Sequence, residues 1–330
     1  MITEPWDNDE LRRVATLYYL GEETMEAIAL RTGMSRSTVS RQLKAARERG
    51  IVRISVATGD PTTRGVGARL SALFGIEAHV VPVRETATDT QRLAQVARFA
   101  GRLVSDWFDD NTVMGLAWGT TVSAVLGNLV PKPTRKSTVV QLNGAVHADS
   151  AEVHYVSDLL GNAVDAFGAR AVFFPVPAFF DDPATKAALW RERSIANVVE
   201  LQRHCDIAVF GVGSWTGDVT SQVYATGYLD ANDMNELKKA GAVGDICTTF
   251  LRADGSWADL SINKRSSGPN LTEFATIPRR ICVVASGSRI AATAAALRAG
   301  VITNLIIDEQ TATELLNATS RTPQSQRRSR

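Results

Sequence analysis

The segment VMGLAWGTTVSAVLGNL, residues 113–129, determines the fold class of this chain. Its first five residues form an apolar run of strand length, and Gly119 then interrupts the run. Thr120 and Thr121 precede a second apolar stretch with helical spacing. A buried strand, a glycine turn and a helix in this order begin a βαβ unit. The segment therefore predicts a parallel sheet with helices packed on its faces.

The same alternation continues on both sides of this segment. Strands are predicted at 79–83, 112–117, 138–142, 171–174, 207–212, 280–285 and 304–307, and helices at 90–108, 120–129, 152–167, 183–205 and 289–298. This pattern predicts a doubly wound, mostly parallel α/β domain over residues 68–316. A linker rich in Gly, Thr and Pro precedes it at 57–67, and a basic tail that we expect to be disordered follows at 317–330.

A small all-α domain is predicted over residues 1–56. Apolar residues at helical spacing indicate a first helix over 8–20. Thr24 and Ser35 are of the types that cap helices, and they precede a second and a third helical segment. Gly33 and Gly50 end these two helices, and residues 51–56 alternate as in a short strand. Helix, glycine turn and polar helix form the helix-turn-helix pattern.

Charge is distributed unevenly along the chain, although its net charge at pH 7 is only +1. Residues 1–30 contain seven acidic and two basic side chains, whereas residues 31–53 contain one acidic and seven basic ones. On the third helix, Val39, Leu43 and Ala46 share an apolar stripe. The predicted DNA-binding residues lie in the first turn and opposite this stripe, and they are Arg36, Ser37, Thr38, Ser40, Arg41 and Lys44. This composition is typical of a recognition helix for double-stranded DNA, and the alternative is the solvated face of a helical interaction domain.

Ligands of open parallel sheets bind beyond the carboxyl ends of the strands, so residues at the predicted strand ends are candidates for a ligand site. These candidates are Gly119, Thr120, Thr121, Asn143, Gly144, Asp245 and Arg289. The glycine and threonines at a helix start indicate an anion site, the aspartate can accept from a sugar hydroxyl, and the arginine can bind a phosphate. The alternatives are an ordinary threonine-capped turn, a Gly-Asp turn and a solvated arginine.

Composition and motifs argue against several other classes of protein. The longest apolar runs are too short to span a bilayer, and the acidic N-terminus lacks the features of a secretory signal. The three cysteines are widely spaced without a C-x-x-C pair, which argues against disulfides or structural zinc and is consistent with the cytoplasm. Hydrolase, Walker and metalloprotease signatures do not occur. The spacing of His147, Asp149 and His154 suits no single helix face, so we expect no metal and no cofactor.

Five segments, taken together and in order, resemble the SorC-type (DeoR/central glycolytic regulator-like) bacterial transcription factors. They are ALRTGMSRSTVSRQLKAARERGIVRISV, GLAWGTTVSAV, VVQLNGAV, GAVGDICTTFLRADG and AALRAGVITNLIIDEQTATELL, and the resemblance runs from about residue 11 to residue 316. It implies an N-terminal DNA-binding domain and an effector domain similar to sugar-phosphate isomerases and deaminases. It also implies a sugar, polyol or sugar-phosphate effector and a homo-oligomer, often a tetramer.

The resemblance further implies roles for the candidate ligand residues. Gly119, Thr120 and Thr121 would hold phosphate, and Asn143, Gly144 and Asp245 would line the sugar site. Arg289 stands where many relatives have lysine, after a loop that is one residue shorter. The expected protein is a cytoplasmic, non-enzymatic regulator of carbohydrate or polyol metabolism. The alternative functions are an active isomerase or deaminase fused to a DNA-binding domain, and an interaction protein without a ligand.

Overall fold

The computed structural model describes residues 6–52, 61–145, 151–215, 221–225 and 227–320. The chain divides into two units after Gly59. The N-terminal unit contains α1 (Asn8–Tyr19), α2 (Met25–Thr32) and α3 (Arg36–Glu48), which confirms the three predicted helices. Residues 51 and 52 form a bend, and the rest of the strand predicted over 51–56 lies outside the described residues.

Capping and burial explain why the N-terminal helices form where they do. The side chains of Thr24 and Ser35 accept hydrogen bonds from backbone N–H groups in the first turns of α2 and α3, as predicted. Gly33 ends α2 in the left-handed conformation, with φ of 70°. Leu11, Ile28 and other apolar side chains from all three helices form the core of this unit.

The second unit is built on a seven-stranded sheet with the order β1-β9-β8-β5-β2-β3-β4. All neighbouring strands in this sheet pair in parallel, which confirms the predicted doubly wound α/β fold. The strands are β1 (Glu77–Val81), β2 (Val113–Leu116), β3 (Thr138–Gln141), β4 (Arg170–Val172), β5 (Ile207–Phe210), β8 (Arg279–Val284) and β9 (Asn304–Asp308), and an antiparallel hairpin contains β6 (Ala242–Ile246) and β7 (Thr249–Arg252).

Helices cover the faces and ends of this sheet. They are α4 (Pro61–Phe74), α5 (Asp89–Trp107), α6 (Thr120–Leu126), α7 (Ala151–Phe167), α8 (Pro183–Leu189), α9 (Arg193–Arg203), α10 (Gln222–Ala225), α11 (Ala231–Lys239), α12 (Leu271–Phe274), α13 (Ile290–Arg298) and α14 (Glu309–Ser320). Two short 3₁₀ turns occur at Ser261–Lys264 and Gly287–Arg289. Among the described helices, none has the length and apolarity needed to cross a membrane.

Several predicted boundaries differ from the structure, and three of the differences change how a segment is assigned. Residues 61–67, assigned to the linker, belong to α4, and residues 57–60 lie outside the described residues. The single helix predicted over 183–205 is two helices, because Trp190 ends α8 and packs its ring edge-on against Phe174 and Phe180. Residues 317–320, assigned to a disordered tail, continue α14, and residues 321–330 lie outside the described residues.

The hairpin of β6 and β7 was not predicted from the sequence. Its turn consists of Cys247 and Thr248, whose φ angles are 46° and 66°. Two-residue hairpin turns with two positive φ angles strongly favour Asn-Gly or similar pairs, because other residues are strained there. The sequence Cys-Thr therefore carried no hairpin signal. A backbone bridge between Gly213 and Asp245 joins the hairpin to the segment after β5.

Candidate functional site

The exposed face of α3 carries most of the predicted DNA-binding side chains. Five of them are exposed, namely Arg36, Ser37, Ser40, Arg41 and Lys44. The predicted apolar stripe is buried beneath them, as is Gln42, which was not predicted. Thr38 is half-buried, whereas the other candidates are exposed. The hydroxyls of Ser37 and Thr38 lie 2.8 and 2.9 Å from Oγ of Ser35, so both contact the cap residue of α3.

Two cations on this face already have partners within the N-terminal unit. Arg36 Nε lies 2.8 Å from Glu26 Oε1, and Lys44 Nζ lies 3.7 Å from Glu48 Oε1. Each of these side chains is more than half exposed. Exposed ion pairs contribute only about 0–1 kcal/mol, so a phosphate group can replace the carboxylates at little energetic cost.

A second candidate site lies at the carboxyl edge of the sheet, beside β2 and β5. The chain runs from β2 to β3 on one side, whereas β5 and then β8 extend the sheet on the other side, so the strand order reverses here. Such a switch point is where ligands of open α/β sheets bind. The pocket is lined by residues 117–122, Asn143, residues 211–213, Ser221, Val223, Asp245, Cys247, Thr248 and Arg289. We call it the switch-point pocket.

Gly119 and the following threonines form the floor of this pocket. Gly119 is the N-cap of α6 and has φ of 142°, a conformation that favours glycine. Neither threonine caps the helix, because the N-cap is the glycine, which makes no side-chain hydrogen bond. The alternative of an ordinary threonine-capped turn is therefore wrong. Thr120 is exposed and Thr121 is half-buried, and both line the pocket.

Asn143 presents a buried acceptor to the pocket. Its residue is only 2% exposed, and its backbone carbonyl accepts from Gln141 Nε2 at 2.7 Å. Its side-chain oxygen Oδ1 has no hydrogen-bond partner among the described residues. A buried acceptor without a partner costs roughly 1–3 kcal/mol. A ligand with a hydroxyl or amino donor would satisfy it.

Gly144 lies behind the pocket wall and is not among the lining residues. Its N–H donates to Ser267 Oγ at 2.9 Å, and its carbonyl accepts from Trp118 Nε1 at 2.8 Å. A Cβ atom at this position would lie 2.3 Å from the carbonyl oxygen of Val176. The structure therefore corrects the expectation that Gly144 lines the sugar site, because close packing uses both of its backbone groups. Its effect on the pocket is to hold Trp118, which does line it.

Asp245 is a buried carboxylate on β6, rather than part of a Gly-Asp turn. Its Oδ1 accepts from the Tyr224 hydroxyl at 2.6 Å, and its Oδ2 accepts from the Thr248 N–H at 3.0 Å. Burial raises the pKa of Asp245, while these two donors and Arg289 act in the opposite direction. Burial also raises the pKa of Tyr224, and the neighbouring carboxylate raises it further.

Arg289 is buried, which excludes the alternative of a solvated arginine. It is the last residue of the 3₁₀ turn Gly287–Arg289 and not yet part of α13, so the helix predicted from residue 289 begins one residue later. Its Nη1 donates to the carbonyl of Val212. Burial lowers the pKa of Arg289, whereas the carboxylate of Asp245 raises it. The pocket therefore contains a buried cation and a buried carboxylate that stabilise each other's charge.

Sequence reasoning missed several lining or supporting residues, among them Trp118, Tyr224, Cys247 and Thr248. The Trp118 ring lies 5.5 Å from the Tyr228 ring, which gives the pocket an aromatic wall. Ser266 Oγ donates to the carbonyl of Thr248 at 2.8 Å and so supports the strained turn. The tryptophan beside Gly119 was detectable from its position at a strand end, but the other three depend on the hairpin.

Comparison with known proteins identifies the family. Residues 62–317, more than half of the chain, match the family model Sugar-bind, described as "Putative sugar-binding domain". The chain is also 31% identical over 306 residues to the deoxyribonucleoside regulator of Bacillus subtilis (strain 168), which covers 92% of this chain and 96% of that protein. The chain belongs to the SorC-type family of sugar-binding transcriptional regulators.

Other members of the SorC-type family and solved structures agree with this assignment. The sorbitol operon regulator of Klebsiella pneumoniae is 22% identical over 314 residues, covering 94% of this chain and 99% of that protein. A domain of a possible sugar-binding transcriptional regulator from Arthrobacter aurescens TC1 is 40% identical, with a TM-score of 0.73, and covers 79% of this chain and all of that domain. Full-length SorC from Klebsiella pneumoniae has the same fold, with a TM-score of 0.77 at 22% identity over 95% of this chain and 100% of SorC.

Among the described residues, no group of three or more His, Cys, Asp or Glu side chains is placed to hold a metal ion. His147 and Asp149 lie outside the described residues, as does the side chain of His154. The SorC-type relatives are named as transcriptional regulators rather than as enzymes.

Replacing Asp245 by asparagine is expected to stabilise this SorC-type protein at neutral pH but not at acidic pH. Because the folded pKa of Asp245 is raised, the folded state binds more protons than the unfolded state, so the carboxylate costs stability above that pKa. The cost disappears as the pH falls through the raised pKa. In the variant, the amide can donate to Tyr224 Oη and accept from the Thr248 N–H, so both contacts survive. Thermal unfolding of both proteins at about pH 7 and about pH 4 measures the difference, and an equal difference at both pH values would contradict the prediction.

Proposed function

We propose that this chain is a DNA-binding regulator of carbohydrate or polyol metabolism, and that a small effector in the switch-point pocket controls its affinity for a double-stranded DNA operator. The observation that carries the proposal is the convergence of Asn143, Asp245 and Arg289 on one pocket at the point where strand order reverses. The family assignment supports it, because the matched family is a sugar-binding one.

The chemistry of the pocket favours a sugar, a polyol or a sugar phosphate as the effector. The free acceptor of Asn143 and the carboxylate of Asp245 suit hydroxyl donors, and the guanidinium of Arg289 suits an oxygen-rich or anionic group. The indole of Trp118 suits the apolar face of a sugar ring. Names of relatives indicate which compounds to test first, since they mention deoxyribonucleosides, erythritol and sorbitol.

DNA binding is assigned to the exposed face of α3. Its arginines, lysine and serines lie together on the side opposite the buried stripe, where they can reach base edges and phosphates of a major groove. We propose that the protein works as a homo-dimer or homo-tetramer, since paired half-sites require paired recognition helices. The effector would favour one arrangement of the subunits, which requires that it bind the two arrangements with different affinities.

We further propose that the protein has no catalytic activity and acts in the cytoplasm. The relatives of the chain are named as transcriptional regulators rather than as enzymes, which supports this proposal. The rival function is an isomerase or deaminase fused to a DNA-binding domain. Turnover of any sugar phosphate by the purified protein would favour the rival.

Thermal unfolding with sugars and polyols, each paired with its phosphate ester, tests the proposed effector class. An effector at one hundred times its dissociation constant should stabilise the protein by about 2.7 kcal/mol. A stabilising compound should also change the affinity for promoter DNA in a gel-shift titration. If every compound leaves both measurements unchanged, the chain is an interaction protein without such a ligand.

Replacing Thr121 by phenylalanine is expected to abolish the effector response while operator binding stays within about twofold of the parent. Thr121 lines the switch-point pocket, so the larger ring would occupy the space of the ligand, whereas α3 belongs to the other unit of the chain. Thr313→Phe is the matched control, because Thr313 is exposed on α14 and lies outside the pocket lining. A Thr121→Phe protein that still responds to the effector would place the ligand elsewhere.

A further inference from the structure

A second cavity, of about 280 Å³, lies between α8, α9 and the segment around α12. It shares no lining residue with the switch-point pocket. Its walls combine apolar side chains, which include Leu142, Trp190 and Phe274, with polar ones, which include Gln202, Ser267 and Asn270. Its volume is close to the lower limit of small-molecule sites, which is about 300 Å³. We call it the α8–α9 cavity.

Lys186 supplies a positive charge to this cavity. Its ammonium lies 5.1 Å from the centre of the Trp190 ring, which is a cation–π contact. Burial lowers the pKa of Lys186, as expected for an ammonium that has lost part of its hydration. Among the described residues, no carboxylate lies within ion-pair distance of its Nζ. Lys186 is therefore a partly desolvated cation whose described partner is an aromatic ring.

The carboxylate of the cavity is already neutralised. Glu273 accepts two hydrogen bonds from Arg203, from Nε at 2.8 Å and from Nη2 at 3.2 Å. This fork geometry satisfies both oxygens of Glu273 and leaves the charge of Lys186 uncompensated. The lining thus combines the ammonium of Lys186, which has no described carboxylate partner, with an indole and aliphatic side chains.

We propose that the α8–α9 cavity binds a small organic acid whose carboxylate pairs with Lys186 and whose planar apolar body packs along Trp190. An ammonium in a partly apolar setting gains more from a carboxylate than an exposed one does, because water screens the pair less. The flat indole and the aliphatic walls favour a ring over an extended polar chain.

An acid bound here would contact side chains that also contact residues of the switch-point pocket. The regulatory meaning of these contacts rests on the proposed function. Gln202 lines the cavity and donates to the carbonyl of Gln141 at 2.8 Å. The Gln141 amide in turn donates to the carbonyl of Asn143 at 2.7 Å. A Cβ atom on Gly268, another lining residue, would lie 2.2 Å from the Cys247 carbonyl. These contacts connect the cavity to the switch-point pocket.

The direct test uses benzoate as the probe, benzamide as its uncharged match, and the full-length protein. Saturation-transfer NMR should show binding of benzoate at millimolar concentrations and much weaker binding of benzamide. Lys186→Met removes the charge but keeps an unbranched apolar stem, and it should weaken benzoate binding by about tenfold or more. Lys238→Met, an exposed position on α11, should leave benzoate binding unchanged.

Three outcomes would overturn the proposal: no benzoate binding to the parent protein, equal binding of benzamide, or equal binding of benzoate to the Lys186→Met protein. Thermal unfolding of the Lys186→Met protein serves to check that the variant is folded, so that a loss of binding reports on the site. None of these measurements uses a sugar or DNA. A negative result for the α8–α9 cavity is therefore distinguishable from a negative result for the proposed regulatory function.

Discussion

Replacing Arg41 by alanine is expected to weaken binding to the operator by about 5- to 150-fold, which corresponds to roughly 1–3 kcal/mol for one good base contact. Arg41 is exposed in the middle of α3, and its guanidinium lies 5.8 Å from the centre of the Trp6 ring. It has no ion pair with a carboxylate among the described residues, whereas Arg36 and Lys44 on the same face do. Arg41 can therefore contact a guanine edge or a phosphate without first breaking a salt bridge.

The control for Arg41 is Arg12→Ala, which removes the same charge from α1. Arg12 is exposed and pairs with Asp9 in the first turns of that helix. Fluorescence anisotropy with a promoter fragment and with random duplex at the same salt concentration separates the two kinds of contact. Loss of affinity for both duplexes indicates a phosphate contact, and loss for the promoter alone indicates a base contact. Unchanged affinity for both would remove Arg41 from the DNA-binding face.

Replacing Gly213 by alanine is expected to abolish the effector response and to destabilise the fold by about 1–3 kcal/mol. A Cβ atom at Gly213 would lie 1.9 Å from Asp245 Oδ1, so the carboxylate must leave its position. The backbone cannot move away easily, because Gly213 N–H donates to the Asp245 carbonyl at 2.8 Å and Asp245 N–H donates back at 3.2 Å. Displacement of the carboxylate also removes the acceptor of Tyr224.

Two further variants isolate this clash. Gly211→Ala lies in the same segment, and its Cβ would meet Thr121 at 3.4 Å, an ordinary contact, so parental stability is expected. Adding Asp245→Ala to Gly213→Ala removes the clashing atoms and should recover the part of the lost stability that the clash causes, but neither the part due to the lost acceptor of Tyr224 nor the effector response. Differential scanning calorimetry and the effector-dependent gel shift measure the two quantities. Parental stability in the Gly213→Ala protein would show that the hairpin accommodates the methyl group.

Local signals in the sequence were sufficient for most elements of the fold. Polar caps at Thr24 and Ser35, and glycine at residue 33, marked the ends of the N-terminal helices, because capping involves only neighbouring residues. Apolar runs marked the parallel strands, since buried parallel strands are apolar on both faces. Helix boundaries were less accurate where a distant contact decided them, as at Trp190, whose ring packs on Phe174 and Phe180.

The candidate site could be predicted only in part. Residues 119–121, Asn143 and Arg289 follow strands, and strand ends are recognisable from the sequence. The sequence did not show that Arg289 is buried or that Gly144 lies behind the pocket wall. Both features depend on neighbours more than 30 residues away in the chain.

The sequence by itself determined the two-unit organisation, the parallel sheet, the basic face of α3 and the strand-end candidates, because each follows from periodicity, capping or composition within a short window. The tertiary structure alone decided the strand order and hence the position of the pocket between β2 and β5. It also decided that a hairpin with a strained Cys-Thr turn brings Asp245 against Gly213. The physical reason is that these contacts are stabilised by burial between segments that are distant in the sequence. The free energy of this burial compensates for local backbone strain, which a short window of sequence predicts to be unfavourable.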